Sequence, residues 1–173
     1  MPECAAALAR LNLAARDEAE AMLLDLCGSR AWAAALAARR PFANREALRR
    51  LAEEAFDRLT DADWEAAFAA HPRLGAGSSG GRQSARGEAW SEREQAGAQA
   101  VDDELRERLA EGNRRYEERF GRTYVARASG RDAHELLAIL ERRLALDPGA
   151  ELLAAAAEQR DISRLRLDRM FPP

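Results

Sequence analysis

The sequence predicts an all-α fold: a single-domain helical bundle of about eight helices over residues 1–173, with one long Gly/Ser-rich loop. Three observations predict it. Apolar residues recur at helical spacing along most of the chain, and alanine supplies much of the 47% hydrophobic fraction. Helix start and stop signals punctuate the chain at short intervals, with no repeat and no linker between two domains. A length of 173 residues suits one domain and can bury roughly two thirds of its unfolded surface.

Taken in order, the first strong pattern runs over residues 16 to 27 and stops at Gly28, placed as a C′ glycine. Ser29 caps a short helix that ends before Arg40-Pro41-Phe42. Asn44 caps the next, on which Leu48, Leu51, Ala55 and Leu59 share a face. Thr60 with Asp63 forms a capping box for a helix ending at His71-Pro72. Proline at 72 excludes His71 from the α region, so this histidine sits where helix becomes loop. Residues 73–90 are rich in Gly and Ser and interrupt the helical pattern; Gly75 to Gly87 reads as a long surface loop, the kind of place where lids occur. A long helix is expected from about Ser91 to Phe120, with Val101, Leu105, Leu109, Tyr116 and Phe120 on its buried face and Asn113 in the same stripe. Gly121 ends it. Tyr124 to Ala128 is the one strand-like segment. Asp132 with Glu135 opens another helix, and Asp147-Pro148 supplies an N-cap and N1 proline for the last. Trp32, Trp64, Trp90, Phe42, Phe56, Phe68 and Phe120 are the expected packing anchors.

Composition removes several classes of function. A formal charge of −3 argues against a nucleic-acid partner. All 27 basic residues are arginine, which excludes Schiff-base chemistry and a lysine general base. The two cysteines, Cys4 and Cys27, form no CxxC, and with two scattered histidines they offer no metal-ligand spacing. The expectation is therefore no metal and no cofactor. Free thiols, no apolar leader and no membrane-length stretch suit a cytoplasmic protein with no membrane association.

Three places can carry chemistry. His71 is locked at a helix end and followed by Arg73; an imidazole pKa near ~6.5 suits proton transfer at neutral pH. A structural role is equally open to it, whereas His134 lies in a surface-like helical stretch. Ser91 to Gln95 reads as a capping box through Ser91 and Glu94, yet a helix start also presents N–H groups and a positive dipole end to an anion. Arg166 falls within the apolar stripe that includes Ile162 and Leu165, where a guanidinium needs an anionic partner, from the protein or from a substrate.

In order along the chain, Leu11-Asn12, Cys27-Gly28-Ser29, Trp32, Arg40-Pro41-Phe42, Asp63-Trp64, Ala67-Phe68 and His71-Pro72-Arg73-Leu74-Gly75 resemble one family. Ser91, Glu94-Gln95, Gly97, Asn113, Tyr116, Phe120-Gly121, Tyr124-Val125, Gly130-Arg131 and Ile162 to Leu167 extend the resemblance. The family is 2-oxo-4-hydroxy-4-carboxy-5-ureidoimidazoline (OHCU) decarboxylase, of uric acid degradation. No single motif is decisive; the ordered set, with HPRLG and SxxEQ, is specific.

The resemblance implies a cofactor-independent, usually dimeric all-α enzyme that converts a small ureidoimidazoline to (S)-allantoin and carbon dioxide. It implies catalytic roles for His71, Glu94 and Arg166. Pro72, Ser91, Gln95, Tyr124, Val125, Ala126, Arg127 and Ala128 match positions that line the substrate. The last of these segments is less apolar here than is usual in the family, so contacts through Ala126 and Arg127 are expected from backbone alone. Two rival functions are a helical interaction domain without catalysis, in which residues 71, 94 and 166 need not meet, and a hydrolase acting on a related ureide.

Overall fold

The structure is a computed structural model that describes residues 2–73 and 103–172. The described residues hold eight helices and no strand. They are α1 (Pro2–Leu13), α2 (Arg16–Cys27), α3 (Arg30–Ala37), α4 (Arg45–Phe56), α5 (Asp61–Ala69), α6 (Asp103–Phe120), α7 (Ala133–Leu144) and α8 (Pro148–Met170). They gather into two compact units, residues 1–67 with 160–173, and residues 68–159.

Local signals set most boundaries. Gly28 adopts φ 82° and returns its N–H to Leu24 C=O at 2.7 Å, a left-handed turn that only glycine enters without steric cost. Ser29 Oγ accepts from Trp32 N–H, and Asn44 Oδ1 accepts from Ala47 N–H at 2.8 Å. Of the predicted capping boxes, the two within the described residues form. Thr60 N–H reaches the Asp63 carboxylate at 3.0 Å, with the Asp63 N–H returned to Thr60 Oγ1; Asp132 and Glu135 exchange the same pair of bonds. Asp147 Oδ1 caps α8, whose first residue is Pro148.

In the first unit α1 packs on α2, α2 on α3 and α3 on α4. Its centre is an aromatic stack: Trp32 lies 5.1 Å from Phe56, which lies 5.7 Å from Trp64, and the Arg160 guanidinium covers both Phe56 and Trp64. The indole N–H of Trp32 donates to Ala52 C=O at 3.1 Å, so the buried ring leaves no polar atom unsatisfied. Helix α1, which the sequence did not single out, is tied from outside itself. Arg40 donates to the C=O groups of Leu11 and Ala14, both at 2.7 Å, filling acceptors that the end of α1 leaves open. Asn12 exchanges two hydrogen bonds with the backbone of Phe42. Leu11-Asn12 and Arg40-Pro41-Phe42, separated in sequence, are thus one structural clasp.

In the second unit α6 packs on α7 so closely that a Cβ at Gly112 would stand 2.6 Å from Leu140 Cδ2. Leu105, Leu109, Tyr116, Tyr124, Leu136, Leu137 and Leu140 form its core. The strand-like expectation for Tyr124 to Ala128 is corrected, since the segment is neither helix nor strand. No strand lies beside it among the described residues, and the Val125 C=O and both backbone groups of Arg127 bond to side chains instead. The 75–87 loop, Trp90, Val101 and the start of the helix expected from Ser91 lie outside the described residues.

Candidate active site

His71 stands two residues beyond the end of α5. Its N–H donates to Phe68 C=O at 3.0 Å, closing the last turn, and Pro72 stops the helix there. The chain leaves through Arg73, whose guanidinium meets the Glu117 carboxylate of α6 with two bonds of 2.6 Å. This fork-on-fork pair orients the segment more than it stabilises it, because Arg73 is exposed. His71 is only 9% exposed, so it is more buried than its position at a loop edge suggests; Pro72 is half-buried beside it, and His134 is exposed.

The segment Tyr124–Ala128 belongs to the same unit and is almost wholly buried. Arg143 donates to Val125 C=O at 2.6 Å. Glu158 Oε2 accepts from the Arg127 N–H and from the Arg131 guanidinium, each at 2.7 Å, and Arg131 also reaches Arg127 C=O. Ala128 C=O accepts from Arg131 N–H. Among the described residues nothing hydrogen-bonds the N–H or C=O of Ala126, although that residue is 5% exposed. A buried peptide pair of this kind calls for a partner, and a donor and acceptor on one residue suit the edge of an amide or ureide ring. Burial raises the Tyr124 hydroxyl well above its ordinary pKa, so it is neutral at any working pH.

Behind this segment lies a buried charged network that the sequence reading missed. Glu151, fully buried, pairs with Arg143 and with Arg122, the latter at 3.0 Å, and accepts a hydrogen bond from the Tyr116 hydroxyl. Arg143 also donates to that hydroxyl and lies over the rings of Tyr116 and Tyr124. A signal was present in the sequence: Arg143 falls in the apolar stripe with Leu136 and Leu140, the same argument that singled out Arg166.

Arg166 belongs to the first unit and is fully buried, as its place in the stripe predicted. It donates to Asp25 C=O at 3.3 Å and lies near Cys27 and Ser163. Burial pushes the Cys27 thiol up to about 11, against smaller lowering effects from Ser29, Ser163 and the Arg166 charge, so this cysteine is a packed thiol and no nucleophile. A shallow surface cleft in this unit, lined by Trp32, Glu53, Phe56 and Arg164 among others, contains none of the predicted site residues. Ser91, Glu94 and Gln95 lie outside the described residues, which contain no cluster of side chains suited to holding a metal ion.

Residues 12–168 match the OHCU decarboxylase family. The chain belongs to that family. It is 36% identical over 135 residues to the mouse 2-oxo-4-hydroxy-4-carboxy-5-ureidoimidazoline decarboxylase, covering 78% of this chain and 75% of the mouse protein. It is 35% identical over 147 residues to the uric acid degradation bifunctional protein TTL of Arabidopsis thaliana, covering 84% of this chain but 45% of that longer protein. Among solved structures, a crystal structure of OHCU decarboxylase in the presence of (S)-allantoin superposes with a TM-score of 0.76 at 29% identity, over 88% of this chain and 99% of that one. The all-helical architecture is therefore that of an OHCU decarboxylase.

Proposed function

We propose that this OHCU decarboxylase family member removes carbon dioxide from 2-oxo-4-hydroxy-4-carboxy-5-ureidoimidazoline to give (S)-allantoin, using His71 as its acid/base. The observation that carries this reading is the family match from residue 12 to 168, which takes in His71-Pro72, the 124–128 segment and Arg166. That match, over most of the chain, also supports treating residues 1–173 as one catalytic domain.

The chemistry follows from the residue types. When the bond from the ring carbon to the carboxylate breaks, carbon dioxide leaves and the electron pair stays with the ring. A proton delivered from one side to the neighbouring ring carbon, which bears the ureido group, fixes the configuration there, and His71 is the donor. The hydroxyl-bearing carbon meanwhile loses its hydroxyl proton and becomes the ring carbonyl. Glu94 sets the protonation of His71 or engages the substrate hydroxyl. Arg166 anchors an anionic or carbonyl oxygen, and Gln95 and Ser91 bind the ureido arm. Pro72 and Tyr124 to Ala128 line the ring. Within that segment the Val125 C=O, both backbone groups of Arg127 and the Ala128 C=O are engaged by the protein, and the N–H and C=O of Ala126 are a backbone donor and acceptor on one residue that read the ring.

The proton and the binding groups all come from side chains and backbone, so activity is expected to survive exhaustive chelation and dialysis undiminished. Activity that disappeared with EDTA and returned with zinc or magnesium would overturn this mechanism. The finer setting is a cytoplasmic homodimer, supported by the family resemblance; among the described residues no helix is long and apolar enough to cross a membrane. Sedimentation at twice the chain mass is the expected result; a monomer at micromolar concentration would contradict it.

A further inference from the structure

We infer that Glu158, clamped by Arg131, is a positioning residue that holds the 124–128 segment in the register at which Ala126 meets the substrate. The inference rests on the reading above, that this segment lines the substrate, and adds a residue to which no role in the reaction has been given. One carboxylate oxygen of Glu158 takes both the backbone N–H of Arg127 and the guanidinium of Arg131, while the same guanidinium holds Arg127 C=O at 3.2 Å. The two side chains therefore grip both polar groups of the residue next to Ala126.

Glu158 and Arg131 are largely buried, with 16% and 20% of their side chains exposed. Loose surface pairs hold little geometry, but a shielded, charge-assisted pair bonded to backbone on both sides does. Arg143 fixes Val125 C=O from the other side of Ala126. With its neighbours pinned and no strand to pair with, the segment depends on side chains for its register. A side chain from α8 thus does for 124–128 what a neighbouring strand does in a sheet.

The test compares Glu158→Ala with Glu158→Gln in the full-length enzyme, reading KM, kcat and the protection of the Ala126 amide from hydrogen exchange by (S)-allantoin. Glu158→Ala is expected to raise KM roughly tenfold or more in the folded enzyme, with kcat changed less, since misplacing a binding group costs affinity and alignment. Glu158→Gln keeps an acceptor for the Arg127 N–H and is expected to restore most of the lost affinity. Arg131→Ala, which leaves the carboxylate on that N–H but unclamped, is expected to fall between them and keeps the test open should Glu158→Ala fail to fold. Allantoin that left the Ala126 amide of the wild-type enzyme unprotected would show the underlying site reading to be wrong. Protection in the wild type, together with unchanged KM in folded Glu158→Ala or Arg131→Ala, would overturn the positioning role alone.

Discussion

His71→Asn is expected to lower turnover by roughly 10²–10⁴ while the protein still folds, because asparagine keeps a polar shape but exchanges no proton near neutral pH. The effect has a second readout. The substrate also decays spontaneously to racemic allantoin, so losing the placed proton donor removes stereochemical control together with rate. Enantiomeric excess should therefore fall as the uncatalysed path overtakes the enzyme. Since His71 is only 9% exposed, some loss of Tm accompanies the substitution, and activity must be referred to folded protein. A variant that melted earlier but kept full specific activity and optical purity would make His71 a structural cap.

Glu151→Ala is expected to give the largest stability loss. Glu151 is fully buried and pairs with both Arg143 and Arg122, so its removal takes away the carboxylate that the two guanidinium groups share. Breaking a buried pair by deleting one partner costs about 3–5 kcal/mol. For a domain of this size that is a fall in Tm of roughly 6–20 °C. Leu153→Ala, on the same helix but 74% exposed, is the control and should move Tm little. Equal melting of the two variants by calorimetry would show that the network contributes no more than surface.

The fold was legible wherever a local signal decides it. Gly28, Ser29, Asn44, Thr60 with Asp63, Asp132 with Glu135, and Gly121 each act within one helical turn, and each does what its residue type dictates. The same periodicity that placed Leu105, Leu109, Asn113 and Tyr116 inside also placed Arg166 there. Features made across long sequence separations were not legible. The clasp of Arg40 and Asn12 on α1 spans about thirty residues, and the Glu158 clamp spans a similar length. A short, extended-looking stretch bounded by glycines made Tyr124 to Ala128 look like a strand, but a strand needs a neighbour, and side chains took that place.

The candidate site was legible mainly through its resemblance to a family. His71-Pro72 could be singled out from helix geometry, and Arg166 from the cost of burying an unpaired charge. Glu158 could not, because an acidic residue on a helix reads as a solvated position until the residue it bonds is known.

The central claim is tested most directly by giving the purified protein freshly generated OHCU and following carbon dioxide release together with the chirality of the product. Release well above the spontaneous rate and optically pure (S)-allantoin are expected. Racemic allantoin formed at the spontaneous rate, or a ring-opened product without loss of carbon dioxide, would contradict the claim.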